Sequence, residues 1–502
     1  MYNYFNQTKN LFLVFTLFFI LTAFHFYSFE SNADYPKTTV NDFTYEIKAN
    51  EAVIIGYSGA ETSITIPSSV NYNGTDYPVA AIGEEAFSSK SDYSNNVTQI
   101  TISYPIDTIG TSAFYKNTTI ESINITSSVL NLIGNGAFNG CTKLTSINLP
   151  NTITEIGSST FNNCTSLSSI TIPSSITSIG GSAFSNCTNL TSMIVPSSVT
   201  TIGGSCFYGC TSLSSITLPD TLTSLGGSSF YECYKLTSIT IPKGLKTIEG
   251  SMFSYSGLTS ITIPDNITSI NGDAFSYCSS LTSATLPEGL VSIGANAFYD
   301  SPNLKNILIP YSVTKIGKYS IGYYKSEAGT RLVPGFIISG YYDTAAETYA
   351  SNNSIVFNGT TKIGIVKTVG SYVYTTTSET EASVTGVSKT TLTTIDIPKT
   401  IAIGSKQYKV TSIGDEAFKD CKNLTTITIG ANITKIGKKA FFKLKKLKSV
   451  TIKSKKLKSI GDKAFTKINK NAVIQVPKAK IKKYTKKLKK AGMPKKVTVT
   501  KI

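Results

Sequence analysis

The sequence predicts a mainly β solenoid made of two arrays of short repeats and closed by short helical caps. Three observations lead to this fold class: a period of 23 residues, a fixed apolar spacing inside each period, and a proline that follows the first apolar stretch of most periods. Each period holds roughly seven inward apolar residues, too few for a core of its own, so neighbouring periods must stack to bury them. The repeat therefore determines the fold before any single element is assigned.

Phenylalanine marks the repeat, and its positions give the number of turns. Two series of this residue are separated by a stretch that lacks the period. In the first array the marker positions are Phe87, Phe114, Phe138, Phe161, Phe184, Phe207, Phe230, Phe253, Phe275 and Phe298, followed by Ile321; in the second they are Phe418, Phe441 and Phe465. The sequence therefore predicts eleven turns in the first array and three in the second.

The unit at residues 144–164 shows why each period should form a coil. Ile147 lies in a short predicted strand and points inward, because side chains alternate along a strand, and Pro150 ends that strand by removing a ladder donor. A second extended stretch follows, and Gly157 is expected to permit a tight corner. Phe161 then fills the interior of the coil before the next unit begins.

This pattern resembles the BspA-like family of leucine-rich repeats, found in bacterial and some protozoan surface proteins. The family signature L-x-x-I-x-I-P-x-x-I-x-x-I-G-x-x-A-F-x-x-C is complete at 167–187 and nearly complete at 190–210. Single turns depart from it: Ser256 and Leu444 replace Cys, Ile321 replaces Phe, and Gly430 replaces Pro. The resemblance implies a right-handed leucine-rich-repeat coil and, as a function, adhesion to host matrix proteins, host cells or neighbouring microbes.

Unusual spacings indicate where the arrays begin and end. The distance from Pro to Phe grows from 11 to 20 residues before Phe87 and again before Phe418, and the turn formers in the extra residues predict an inserted hairpin at each place. The predicted organisation is a signal peptide at 1–33, an N-terminal cap with an inserted hairpin at 34–86, the first array at 87–330, a capping segment with a short helix at 331–360, a β-rich linker at 361–394, the second, lysine-rich array at 395–476, and a basic helical cap with a strand at 477–502.

The N-terminal residues predict export. Lys9 precedes an apolar run at 11–24, and a small-residue cleavage site ends at Ala33, as in a secretory signal peptide. An uncleaved signal anchor is the alternative, because residues 11–29 reach the length needed to span a membrane. The chain is expected to be secreted or on the cell surface, and membrane-anchored if the signal is retained.

Charge and histidine content limit the function classes. The net charge of +17 is unevenly distributed: residues 401–502 hold 29 lysines and four acidic residues, a net charge of +25, whereas the first 400 residues carry −8. The only histidine is His25, inside the predicted signal, so the mature chain has no imidazole for catalysis or for metal ligation. We therefore expect no enzyme, no catalytic residue, no cofactor and no metal site.

The cysteines follow the repeat. Seven of the eight lie three residues after the marker position, which predicts a buried column of reduced thiols that behave as small apolar residues. Cys206 lies beside Phe207, outside this column, and is expected to form a disulfide or to face solvent.

Two sets of outward residues in the first array are candidate ligand contacts. They form a hydroxyl-rich strand face with one apolar exception, and a row of tyrosines that follow the marker phenylalanine. The first set is Ser146, Ser169, Thr171, Ser192, Ile194, Ser215, Thr217, Ser238, Thr240 and Thr262, and the second is Tyr208, Tyr231, Tyr255, Tyr277 and Tyr299. Both suit a protein or glycan ligand, but β-propensity and packing along an outer corner explain them equally without a ligand.

The lysine-rich end is a candidate polyanion contact. Its lysines are Lys445, Lys446, Lys455, Lys456, Lys482, Lys483, Lys486, Lys487, Lys489 and Lys490. Nucleic acid is not expected, because the chain is exported and lacks arginine in this region for base readout. We expect anionic cell-envelope polymers as partners, with a merely solubilising surface as the alternative. The sequence thus predicts an exported binding scaffold, an adhesin for host proteins, cells or glycans, or otherwise a cell-wall spacer without a specific ligand.

Overall fold

Two columns of short parallel strands run along each array, one from each extended stretch of the repeat. The computed structural model describes residues 35–89, 96–360 and 362–502, so the predicted signal at 1–33 lies outside the described residues. No helix within these three ranges is long and apolar enough to cross a membrane. The predicted β solenoid is confirmed.

The first column of the first array comes from the apolar-x-x-apolar-x-apolar stretch. Its strands pair in parallel with the same position one turn away, as Ser192 does with Ser215. The strands are Ser63–Thr65, Gln99–Ile102, Ser122–Ile125, Ser146–Ile147, Ser192–Ile194, Ser215–Thr217, Ser260–Thr262, Ser283–Thr285, Asn306–Leu308, Ile337–Tyr341 and Val356–Thr360.

The second column comes from the stretch that ends at the repeat glycine. These strands are two residues long and also pair in parallel with register kept from turn to turn. They are Thr108–Ile109, Leu132–Ile133, Glu155–Ile156, Ser178–Ile179, Thr201–Ile202, Ser224–Leu225, Thr247–Ile248, Ser269–Ile270, Ser292–Ile293 and Lys315–Ile316.

The first array begins with a cap of longer, mostly antiparallel strands. Lys37–Val40, Phe43–Ile47 and Ala52–Tyr57 form a meander, and its last strand pairs in parallel with Thr75–Ile82. Ser69–Tyr72 and Thr75–Ile82 form the hairpin inserted at the long Pro-to-Phe spacing. The meander covers the first turn, so the end of the array does not expose its core.

The second array begins in the same way. Val366–Val369, Tyr372–Thr376 and Glu381–Val387 form an antiparallel meander that pairs in parallel with Lys406–Ile413, itself in a hairpin with Thr400–Ile403. These meander strands fall in the predicted linker at 361–394, yet they contribute buried side chains to the core of the second array. The segment is therefore the cap of the second array rather than a linker, and sequence patterning missed it because its strands do not follow the 23-residue period.

The remaining strands of the second array continue both columns. They are Thr394–Asp396, Thr426–Ile429, Ser449–Ile452, Val473–Val476 and Thr498–Lys501 in the first column, and Lys435–Ile436 and Ser459–Ile460 in the second.

Each array ends in a helix that is fixed by one tyrosine. Helix α1 (Ala345–Asn352) follows the hairpin of Tyr323–Ser326 with Gly329–Leu332, and helix α2 (Ile481–Lys490) follows a short 3-10 helix at Lys478–Lys480. In α1 the Tyr349 hydroxyl accepts a hydrogen bond from the Ile321 amide at 3.1 Å, and in α2 the Tyr484 hydroxyl accepts one from the Leu457 amide at 2.9 Å. Both helices thereby cover the last turn of their array.

The core of each array is built around the marker phenylalanines. In the first array ten rings stack one per turn, with neighbouring centroids 5.1 to 5.8 Å apart. Tyr57 of the N-terminal cap stacks on the first ring, Phe87, at 6.4 Å. The predicted interior positions of Phe161 and Cys164 are fully buried. The sequence assigned these residues correctly because stacking identical turns superposes identical side chains.

Glycine recurs at the corner of each turn, but not for the conformational reason that the sequence suggested. Its backbone does not adopt a positive φ; instead, a Cβ at Gly180 would lie 2.5 Å from the Ser158 amide nitrogen of the preceding turn. Glycine is therefore required by the close approach of two turns, not by a left-handed corner.

Candidate functional site

The hydroxyl-rich strand face is exposed along the first array. All ten predicted contacts of this set face solvent. Ser192 lies beside Ser215 and Ile194 beside Thr217 in register, whereas Ser169, Thr171, Ser238 and Thr240 lie in turns where this stretch is extended without strand pairing. The face is thus a set of short paired segments and not one continuous sheet.

Two apolar side chains interrupt the hydroxyl-rich face. Ile194 is 73% exposed and Leu308 is 53% exposed. Near the second of these, Ile337 and Val356 are register partners in adjacent strands and are also exposed, so an apolar patch lies at the C-terminal end of the first array. Ile194 is a single interruption of a polar surface, which is common on soluble proteins, whereas Leu308 belongs to the apolar patch.

The predicted tyrosine row forms a continuous stack, which we call the tyrosine ladder (Tyr208, Tyr231, Tyr255, Tyr277 and Tyr299). Consecutive ring centroids lie 4.8, 5.3, 4.3 and 5.7 Å apart along the chain. The first and third pairs are nearly parallel, the second is tilted and the last is edge-to-face. All five side chains are half-buried, so ring faces pack on one another and ring edges meet solvent.

The ladder is continuous although its rings come from two different backbone positions. Tyr208, Tyr231 and Tyr299 directly follow the marker phenylalanine, whereas Tyr255 and Tyr277 stand one residue further on. That further position has φ of 59° at both tyrosines, in the left-handed region that bulky residues disfavour. Asn163 and Asn186 occupy it in earlier turns, as expected from the tolerance of asparagine for this conformation.

Burial affects the ionisation of three hydroxyls in the tyrosine ladder. Burial, aided by the negative charge of Glu232, raises the pKa of Tyr231, so this hydroxyl remains protonated. Desolvation by burial also raises the pKa of the Tyr255 and Tyr277 phenols. At the far end, the Tyr299 hydroxyl lies 3.1 Å from Thr330 Oγ1. The outer edge of the ladder therefore offers hydrogen-bonding hydroxyls.

Two residues that the sequence analysis did not select stand beside the ladder. Tyr234 is 52% exposed, and Glu232 lies close enough for its charge to raise the pKa of Tyr234, after the larger effect of burial. Neither residue repeats in neighbouring turns, which is why a search for columns passes over them. The signal that could have found Tyr234 is an aromatic residue directly after the repeat cysteine, a position that is polar in most turns.

The cysteine column is buried and reduced. All eight cysteines are buried free thiols. Desolvation raises the pKa of Cys164 and Cys210 to about 12, so these sulfurs remain protonated. The expectation for Cys206 was wrong: its side chain is fully buried, because it occupies the small-residue position that Ala183 holds one turn earlier.

The thiols also link the turns. Cys164 Sγ donates to the carbonyl of Phe138 at 3.2 Å, and Cys210 Sγ donates to that of Phe184 at 3.1 Å, one turn earlier in each case. In one turn that lacks the cysteine, serine supplies the donor: Ser301 Oγ donates to the carbonyl of Phe275 at 3.0 Å. The column is therefore a row of hydrogen-bond donors as well as a filler of space.

The candidate polyanion contacts lie on the surface of the second array. Within the ranges that the structure describes, none of the ten lysines forms an ion pair, and all but the half-buried Lys487 are exposed. Lys446 Nζ donates to the Asn423 side chain at 2.9 Å, and Lys487 Nζ donates to the carbonyl of Lys458. Glu416, by contrast, is an acid held between Lys419 and Lys439, and the hydrogen bond from Lys419 lowers its pKa. The lysine surface therefore carries a large uncompensated positive charge.

A cleft of about 900 Å³ lies between α1 and the hairpin turn of the second array. Rings of Tyr311, Tyr342 and Phe357 line it, and polar contacts join its two sides. The Ser405 amide donates to Glu347 Oε1 at 3.1 Å, and Lys367 pairs with Asp343. These polar contacts fix the cap of one array against the hairpin of the other.

No cluster of three or more potential metal ligands occurs among the described residues. The candidate site consists of surfaces that offer hydroxyl groups, aromatic rings and charged side chains.

Comparison with known proteins shows the family. The model of the BspA type leucine-rich repeat region matches residues 80–214, 200–326 and 388–499, more than half of the chain. The chain is similar to the crystal structure of a leucine-rich cell surface protein from Faecalibacterium prausnitzii (25% identity, 84% of this chain and 95% of that chain, TM-score 0.44). It is also similar to a leucine-rich repeat protein from Bacteroides ovatus (23% identity, 93% and 99%, TM-score 0.39) and to the pneumococcal vaccine antigen PcpA (18% identity, 93% and 99%, TM-score 0.38).

Curated proteins gave no match. The family assignment therefore rests on the repeat model, which spans both arrays and agrees with the signature read from the sequence. The chain belongs to the BspA-type leucine-rich repeat family.

Proposed function

We propose that this chain is an exported surface protein with two binding surfaces. The first array acts as a scaffold that adheres to host proteins, cells or glycans, and the second array attaches to anionic polymers of the cell envelope. The observation that carries the proposal is the charge division: a slightly acidic array of hydroxyl and phenol surfaces is joined to an array with a net charge of +25. Two surfaces of such different chemistry favour two different ligands on one chain.

Electrostatic attraction favours the envelope as the partner of the lysine surface. Each lysine near an anionic membrane or polymer contributes about 1 kcal/mol, and this contribution falls within a Debye length. Lysine is a flexible point charge that suits loose attachment to phosphate or carboxylate, without the base recognition that arginine provides for nucleic acids. Teichoic acids, acidic glycans and lipid headgroups fit this chemistry.

The attachment is tested by binding of the full chain to isolated cell wall at increasing salt. A variant that replaces the six lysines of α2 (Lys482, Lys483, Lys486, Lys487, Lys489 and Lys490) with glutamine should elute at lower salt. Its slope of log affinity against log salt should fall by up to about 4, at about 0.7 per lost phosphate contact. The matched control removes six lysines from the first array (Lys235, Lys246, Lys305, Lys315, Lys318 and Lys325). Equal effects of both variants, or retention that is independent of salt, contradict a localised electrostatic mechanism.

The adhesive role is tested with the α2 glutamine variant, in which binding to polyanions is weakened. This variant is immobilised and incubated with matrix proteins, host cells and a glycan panel. Capture of a ligand in this background supports the scaffold role. Absence of capture across the panel favours the alternative, a wall-associated spacer whose first array only sets distance.

A further inference from the structure

We propose that the tyrosine ladder, together with Tyr234 and Glu232, binds an extended, neutral β-(1→4)-linked glycan that lies along the solenoid axis. The inference rests on the proposed binding role of the first array and names the ligand class of one surface. It is carried by the way the ladder is built, by its spacing and by the chemistry that it exposes.

Two tyrosines of the ladder stand in an unfavourable backbone conformation, which indicates that the rings do more than pack. Tyr255 and Tyr277 hold positive φ at a position that is left-handed in other turns as well, where glycine, asparagine, lysine and glutamate also occur. A bulky residue in this region is a conformational outlier, and such outliers concentrate at functional sites. The shift of two tyrosines by one residue keeps the row of rings unbroken where the turn beginning after Phe253 changes register. The row of rings is therefore continuous at the expense of backbone strain at both residues.

The spacing of the ladder fits a ligand that lies along the solenoid axis and places one sugar ring at each tyrosine. Rungs are 4.3 to 5.7 Å apart, as set by the stacking of turns. An extended peptide advances by about 3.3 Å per residue, so its side chains fall out of register with the rungs within two residues. Same-face side chains of a helix advance by steps of about 4.5 or 6 Å, so a helical peptide also matches the spacing and is distinguished from a glycan by the chemistry of the ladder and by the binding test. Successive sugars of a β-(1→4)-linked chain advance by about the length of one sugar ring, which is close to the rung spacing.

The chemistry of the ladder selects a neutral, hydroxyl-rich ligand. The ring faces of the stacked pairs are covered by each other, so each rung offers its hydroxyl and ring edge. Tyr234 provides an exposed ring for the apolar face of a sugar, and the Glu232 carboxylate accepts hydrogen bonds from sugar hydroxyls. Two carboxylates, Glu232 and Asp300, lie along the ladder against one cation, Lys325, so the local charge disfavours a polyanion. The anionic polymers expected on the second array are therefore poor ligands here.

The test uses the full chain and two defined hexasaccharides. Cellohexaose is a plain β-(1→4) glucan, and chitohexaose carries the acetamido group found in wall glycans and chitin, so the pair distinguishes the two sources of the same chain geometry. Maltohexaose has the composition of cellohexaose with an α linkage, and it is the matched control for chain shape. We expect calorimetry to show binding of at least one β-linked hexasaccharide, with maltohexaose at least about tenfold weaker.

The variant Tyr255→Asn/Tyr277→Asn removes the two central rungs and places asparagine where this backbone position already accepts it. Loss of two hydrogen-bonding rungs should weaken binding at least about tenfold, while the thermal midpoint stays equal or rises. Tyr115→Asn, which changes a tyrosine outside the ladder, should leave binding unchanged. Equal binding of maltohexaose, unchanged binding by the double variant, or no binding of either β-linked sugar overturns the inference. If a protein ligand is captured while both sugars fail, the scaffold role stands and the glycan assignment falls.

Discussion

The cysteine column provides a sharp test of how neighbouring turns are held together. Cys210 Sγ donates to the carbonyl of Phe184 in the preceding turn, and the side chain is fully buried. If the thiol matters as a donor, replacing it with serine should be less harmful than replacing it with alanine. If it matters only as a small apolar filler, the order should reverse, because serine then buries a hydroxyl without gain.

The structure gives the expected magnitudes. Cys210→Ala removes a hydrogen bond worth about 1 kcal/mol and leaves a cavity the size of one sulfur, which costs about another 1 kcal/mol. Cys210→Ser keeps the donor, and Ser301 shows that a hydroxyl reaches the corresponding carbonyl at 3.0 Å, so a loss below about 1 kcal/mol is expected.

Urea unfolding followed by circular dichroism measures both variants against the parent chain. Cys206→Ala is the matched control: it lies in the same turn, but alanine holds its position at Ala183, so it should cost less than Cys210→Ala. An alanine variant at 210 that is as stable as the serine variant would refute the donor role of the thiol.

Four further predictions concern the core, the thiols and the caps. Phe207→Ala should lower the free energy of unfolding by about 3 to 5 kcal/mol, since it removes a fully buried ring that stacks on neighbours at 5.8 and 5.5 Å. Phe207→Leu should lower it clearly less in the same urea titration. Equal losses would contradict a role for stacking. The eight buried thiols should resist a thiol reagent at pH 8 in the native chain and all react in denaturant. Burial raises the pKa of thiols such as Cys164 to about 12 in the folded state, whereas the unfolded pKa is near 8.5. Their contribution to stability is therefore complete below about pH 8.5 and is lost as pH rises above it. A thermal midpoint that is constant from pH 8 to 10.5 would be inconsistent with protonated buried thiols. Residues 362–502 should fold alone, whereas 395–502, which lacks the meander strands, should not; cooperative melting of the shorter fragment would show that the cap is dispensable.

The repetitive part of the fold was predictable because identical turns make identical contacts. The marker phenylalanines and the proline after most first-column strands recur at a fixed spacing, and the two inserted hairpins are visible as equal departures from that spacing. Because the same pattern occurs in many turns, the weak structural preference of any single residue matters little. A departure such as Ile321 therefore did not obscure the last turn.

The parts that were missed are those that occur once or depend on distant contacts. The strands at 366–387 follow no period, and only their pairing with Lys406–Ile413 reveals them as a cap. Cys206 was misplaced because its environment is set by the adjacent turn rather than by its neighbour Phe207. Periodicity finds columns, and it is insensitive to single residues such as Tyr234 that give one turn a different surface.

The tyrosine ladder is where local preference and the observed structure disagree most clearly. At the left-handed position two residues after the marker phenylalanine, asparagine satisfies the backbone at 163 and 186, whereas bulkier residues stand at 116 and 232 and tyrosine at 255 and 277. A repeat that evolves by copying its turns keeps the residue that is easiest to fold unless something else favours a change. Sequences that break a local rule without a gain in stability do so most often at functional sites. We therefore prefer the ladder to the more regular serine and threonine columns as the candidate ligand surface of the first array.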